Sequence, residues 1–150
     1  MKIGIPTEIK PLEGRVGLVP EACAELVKRG HQVLLQSGAG VASGYPDQSY
    51  AELGVTLVGS GAEIYQQADL VVKVKEPYGD EPEMLREGQL LFCFLHLAAD
   101  ESLTQRLLAS RVTGIAFETV EEQGRLPILA PMSDIAGRLA VQNGTTLLHH

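Results

Sequence analysis

His96 closes the run Phe92-Cys93-Phe94-Leu95-His96-Leu97-Ala98-Ala99, which is apolar on both sides of the ring. Imidazole is the side chain whose ordinary titration lies nearest neutrality, so at the end of a strand it suits acid–base work; the alternative is a hydrogen-bonded core histidine. Lys73 and Lys75 sit in Val-Lys-Val-Lys-Glu-Pro. Two positions apart on a strand, they share one face, with Val72 and Val74 on the other. A lysine in a buried strand needs an anion or the mouth of a crevice. The pair is therefore either a solvated strand end or a ligand for an anion or carbonyl. Arg15, in Glu13-Gly14-Arg15-Val16, offers a planar double donor that matches a carboxylate, unless it is a plain surface arginine. His31 reads as a surface residue before a strand.

Two apparent motifs carry less. Gly38-Ala39-Gly40-Val41-Ala42-Ser43-Gly44 follows a strand as a dinucleotide fingerprint would, but its third glycine falls one place late. Tyr45-Pro46 then interrupts the helix that would hold a pyrophosphate. The segment is expected to be a turn, so the chain lacks a dinucleotide fingerprint of its own. Cys23 and Cys93, in apolar contexts, read as two buried thiols, and no Cys/His group has zinc spacing.

The elements that must position these residues alternate. Strands are expected at Lys2 to Pro6, Gln32 to Gln36, Val55 to Val58, Leu70 to Lys75, Leu90 to Leu95 and Val112 to Phe117. Helices are expected at Pro20 to Arg29, Asp47 to Leu53, Ser60 to Ala68 and Ser102 to Ser110. Gln123-Gly124 signals a hairpin or bulge, and Ser133 reads as the cap of a last helix. That helix is rich in small residues and lacks a clear C-cap, as if it expects a neighbour. Near-continuous apolar strands between helices predict an α/β fold: a mostly parallel sheet, Rossmann-like or flavodoxin-like, with helices on both faces. In such sheets ligands bind beyond the carboxyl ends of the strands.

The 150 residues are 45% hydrophobic and 21% charged, in the range of one ordinary globular domain. Twelve Lys and Arg against nineteen Asp and Glu give a net charge of −7, with no basic block to attract nucleic acid or an anionic membrane. No apolar run is long enough to cross a bilayer, and the first residues do not form a signal region. The cytoplasm is the expected compartment.

Together these residues resemble the N-terminal region of bacterial alanine dehydrogenases. The resemblance rests on Gly4-Ile5-Pro6-Thr7-Glu8 with Arg15-Val16, Leu26 to His31, the Gly38-Ala39-Gly40 loop, Lys73-Val74-Lys75-Glu76-Pro77, Leu95-His96-Leu97-Ala98-Ala99, and Ala130-Pro131-Met132-Ser133 with Ala136-Gly137-Arg138. It implies reversible conversion of L-alanine, water and NAD to pyruvate, ammonia and NADH. Arg15 and Lys75 would bind substrate, His96 would be the catalytic acid/base, and Ser133 would touch the cofactor. Lys73 and Met132 could line the pocket. It also implies a substrate domain over 1–132, a helix from 133 to 150 leading to an NAD-binding domain outside this chain, and a homo-oligomer, a hexamer. The family's catalytic aspartate would lie in that further part. Two readings remain beside it: the N-terminal domain of a proton-translocating NAD(P) transhydrogenase alpha subunit, and a non-catalytic α/β binding domain.

Overall fold

The computed structural model describes residues 1–149; His150, the expected end of the last helix, lies outside the described residues. Six strands form one sheet: β1 (Lys2–Ile5), β2 (Gln32–Gln36), β3 (Thr56–Val58), β4 (Leu70–Val72), β5 (Leu90–Cys93) and β6 (Thr113–Ala116). All pairings are parallel, in the order β3-β2-β1-β4-β5-β6. The helices are α1 (Pro20–Lys28), α2 (Asp47–Ala51), α3 (Gly61–Gln67), α4 (Glu81–Met84), α5 (Glu101–Ser110) and α6 (Leu129–Leu148). The doubly wound α/β reading holds. The expected range of β2 is matched residue for residue, and the other five expected strands run one to three residues too long, because apolar residues continue beyond the ladder at one end or the other.

Alternation along the strands divides the core. Ile3, Ile5, Val33, Leu35 and Val72 face α1, α2 and the start of α6. Val71, Leu91 and Cys93 face α3, α4 and α5. Gly4 lets α3 lie against β1, since a Cβ there would stand 2.7 Å from Ala68 Cβ and Ile64 Cγ2. Both cysteines are free and buried, as expected, and burial pushes the Cys23 thiol up to about 11. His31 is half-buried rather than on the surface.

α1 and α2 start at the expected Pro20 and Asp47, two further helices carry side-chain caps, and the expected cap of the last helix is not one. Ser60 caps α3 by accepting from Glu63 N–H, and Asp100 caps α5 by accepting from Leu103 N–H. Ser133 does not cap α6, which begins four residues earlier at Leu129. Pro131 is no obstacle there, because a first-turn residue has no intrahelical partner for its N–H. Gln123 and Gly124 both take positive φ, 52° and 73°, in the turn closed by the Glu122–Arg125 bridge. Among the described residues no helix is long and apolar enough to cross a membrane.

Candidate active site

The strand order reverses between β1 and β4, so neighbouring loops diverge there and leave a crevice at the carboxyl ends of the strands. Acid and base side chains gather on that edge. After β1, Glu8 is buried and joins the two strand ends: its Oε1 accepts from Val74 N–H at 2.6 Å and from Lys75 N–H at 3.4 Å. Burial pushes the Glu8 carboxyl up, against the downward pull of Lys73 and of the Val74 N–H.

The two lysines part company. β4 ends at Val72, so strand alternation does not carry through to Lys75. Lys73 is 1% exposed, and its Nζ lies 2.6 and 2.7 Å from the Glu81 oxygens and 3.6 Å from Glu8 Oε2. It is a core ion pair and does not line a pocket, a correction to the shared-face expectation. Lys75 is half-buried, and among the described residues its ammonium is paired with no carboxylate.

Arg15 does present a fork, and Glu13 already holds half of it. Nε donates to Glu13 Oε1 at 2.9 Å and Nη2 to Oε2 at 2.7 Å. These bonds hold the Glu13 carboxyl down at about 2, with Lys75 adding a smaller pull from nearby. The remaining terminal nitrogen, Nη1, points to Met132 Sδ at 3.9 Å. Ser133, next along α6, is exposed.

His96 adopts φ 48°, ψ 34°, a left-handed conformation uncommon for a side chain with a Cβ. Glu118 supports it, accepting from His96 N–H at 2.8 Å and Leu95 N–H at 3.1 Å. The ring stacks on Phe94 at 5.4 Å and 17°, and Nδ1 is 3.0 Å from Glu76 Oε2. The other Glu76 oxygen accepts from Lys10. Burial favours the neutral Glu76 acid, but Lys10, the backbone and His96 outweigh it and bring the carboxyl to about 2. The imidazole is 44% exposed, so the apolar sequence around it does not enclose the ring. A cavity of about 590 Å³ opens beside it toward β6, lined by Leu95, Leu97, Ala116 and Thr119 among others.

Arg15, Lys75 and His96 thus lie on consecutive loops of one sheet edge. The acids that hold them, Glu8, Glu13, Glu76 and Glu118, were not singled out from sequence. Only Glu76, adjacent to Lys75, carried a local hint. The glycine loop is filled from within: Gly38 N–H donates to Asp47 Oδ1 at 2.8 Å and Ser37 Oγ to Asp47 Oδ2. A carboxylate of the chain occupies the place a phosphate would need, so these residues do not fit a pyrophosphate.

The family profile described as "Alanine dehydrogenase/PNT, N-terminal domain" matches residues 4–136. The chain is 52% identical over 145 residues to a Mycobacterium tuberculosis protein named alanine dehydrogenase, covering 96% of this chain and 39% of that one. A solved L-alanine dehydrogenase superposes with a TM-score of 0.92 at 47% identity, over 96% of this chain and 40% of its own. A transhydrogenase from Sinorhizobium meliloti superposes with a TM-score of 0.76 at 28% identity, over 81% and 35%. The chain spans about two fifths of the length of the curated relatives it matches.

Proposed function

The chain belongs to the alanine dehydrogenase/PNT N-terminal domain family, and from that premise we propose that it is the substrate-side domain of an NAD-dependent alanine dehydrogenase. Residues 1–132 are assigned to substrate, and the helix beyond 133 leads toward a nucleotide-binding domain. The observation that carries this reading is the placement of Arg15, Lys75 and His96 around the switch point, each backed by its own carboxylate or backbone anchor.

The substrate carboxylate docks on the edge of Arg15 that Glu13 leaves open, through Nη1 and the outer N–H of Nη2. Lys75, a cation with no carboxylate paired to it among the described residues, polarises the keto oxygen as charge develops there. Ammonia adds to that carbon, and the carbinolamine must then lose its hydroxyl as water. His96 delivers the proton that makes the hydroxyl a leaving group. NAD supplies the hydride chemistry of the overall reaction. Since Asp47 fills the glycine loop, its pyrophosphate is assigned to the part of the relatives that this chain does not cover. Ser133, exposed beside Met132, is assigned a contact with the cofactor on the strength of the family resemblance.

The test uses the full-length enzyme that carries this region, assayed for alanine-dependent NADH formation. His96→Ala should lower turnover by about two to four orders of magnitude while pyruvate affinity changes little. Lys75→Ala should cost both binding and turnover. Wild-type-like turnover in His96→Ala removes it from the mechanism. Absence of pyruvate protection of Arg15 and Lys75 against chemical modification favours the transhydrogenase-type reading, to which the 28% relative belongs. Cytoplasmic location and a hexamer complete the proposal; Ile135, Leu139 and Val141, exposed on α6, support association.

A further inference from the structure

We propose that Glu76 is a positioning residue for His96: it holds the ring as the Nδ1–H tautomer, so that Nε2 is the nitrogen that exchanges protons with substrate. The proposal rests on the functional reading above only for its kinetic consequence.

The geometry supports it from three sides. A neutral imidazole has one N–H and one lone pair, and an ionised carboxylate only accepts. Nδ1 lies 3.0 Å from Glu76 Oε2, so the hydrogen of a neutral ring belongs on Nδ1. Lys10 engages the second carboxylate oxygen, which keeps Glu76 anionic and stops it rotating away. On the far side, Phe94 stacks on the ring face, and Glu118 holds both Leu95 N–H and His96 N–H, fixing the left-handed turn from which the side chain leaves. Nε2 has no hydrogen-bond partner among the described residues. Fixing the tautomer through a carboxylate matters because Nε2 needs its lone pair to take a proton from the attacking water in the direction of alanine oxidation; the imidazolium so formed, with Nδ1–H still on Glu76, returns that proton to the carbinolamine hydroxyl in the reverse direction.

The experiment has two arms. The first is nitrogen-15 NMR of the imidazole rings in the 150-residue chain, with His96 assigned by a His96→Gln variant. The wild type should show the Nδ1–H form with unprotonated Nε2. In Glu76→Gln, whose amide can accept or donate, the ring should become a mixture with Nε2–H. A wild-type ring in the Nε2–H form overturns the proposal, and so does an unchanged tautomer in Glu76→Gln. The wild-type spectrum decides the tautomer alone if the variant does not fold. The second arm measures Glu76→Gln in the full-length enzyme. A fall in kcat of about 10–100-fold, with pyruvate Kd within about twofold, is expected. A rise in KM at unchanged kcat overturns the positioning role. A wild-type enzyme with no alanine turnover would sink the functional reading and leave the tautomer result standing.

Discussion

Arg15 shows how a carboxylate can both assist and limit a binding residue. Glu13 fixes the guanidinium through Nε and Nη2, so the side chain does not have to be ordered when substrate arrives, but only one edge of the fork remains. Lysine at this position keeps the charge and loses the shape. Arg15→Lys in the full-length enzyme should therefore raise the alanine and pyruvate KM by roughly ten- to a hundredfold, the worth of one charge-assisted hydrogen bond. An unchanged KM would put the carboxylate clamp elsewhere. At this scale the sequence disclosed types but not partners. Arg15, Lys75 and His96 stand out in the sequence as residue types that could do chemistry, and the roles proposed for them rest on the family resemblance. Glu8 does not stand out, because its partner N–H groups lie 66 and 67 positions away. Lys73 and Lys75 look equivalent in the sequence, but β4 ends at Val72, before either of them.

The end of β4 is where an element sets chemistry. Had the strand continued three residues, both lysines would face one way; instead Lys73 turns into the core and meets Glu81 and Glu8. Breaking such a group from one side leaves uncompensated buried charge. Lys73→Met should destabilise the fold by about 3–5 kcal/mol, and Lys73→Met with Glu81→Leu should recover much of that. Urea unfolding of the three proteins decides it. A single variant as stable as wild type would show that the pair carries no such charge. Elements whose signals are local were readable: α3 and α5 have their caps, and Gln123-Gly124 makes its turn. α6 was misplaced because Pro131 and Ser133 resemble a boundary, while the contacts of Ile128 and Leu129 with the core set the true start. α4 gave no periodic pattern, having four residues.

Across the whole molecule, carboxylates of opposite bias set the response to acid. Glu13 and Glu76 fall to about 2 from an ordinary 4.5, so each supports the fold fully above about 4.5 and loses that support as pH drops toward 2. Glu8 has the opposite sign. Its raised value favours the folded state when protonated, and that contribution disappears as pH rises through it. With Glu13 and Glu76 set against Glu8, and the exposed Glu83 lowered in the same direction by Arg106, the urea midpoint should fall between about pH 5 and about pH 2.5. A flat or rising midpoint would show that the lowered carboxylates do not govern acid stability. The same global view predicts that the 150-residue chain does not bind NADH measurably. Asp47 fills the glycine loop, and one contact from Ser133, worth about 0.5–1.5 kcal/mol, falls far short of the roughly 8 kcal/mol of micromolar affinity. Calorimetric titration tests it, and a micromolar Kd would contradict it. Fold class was the most legible property, because apolar strands alternating with helices allow few architectures. The strand order was not read from sequence, since pairing between β1 and β4 joins residues 67 apart.

That pairing also dictates a timetable for synthesis. β1 leaves the ribosome first and finds β2 soon after, so β1, β2 and β3 can assemble with α1 and α2 while the rest is unmade. One edge of β1 stays open until Leu70 and Val71 emerge to meet Ile3 and Gly4. During that interval the exposed N–H and C=O groups of β1 are a template for wrong partners. Closure is then abrupt, because the same advance brings Asp69 to the Lys2 N–H and Val74 to Glu8. The crevice is thus the seam at which a half-sheet made early meets one still being made, since β5 and β6 add to β4 afterwards, and a slowed ribosome at that point would lengthen the time in which a nascent chain can be trapped by a chaperone or by another copy of itself.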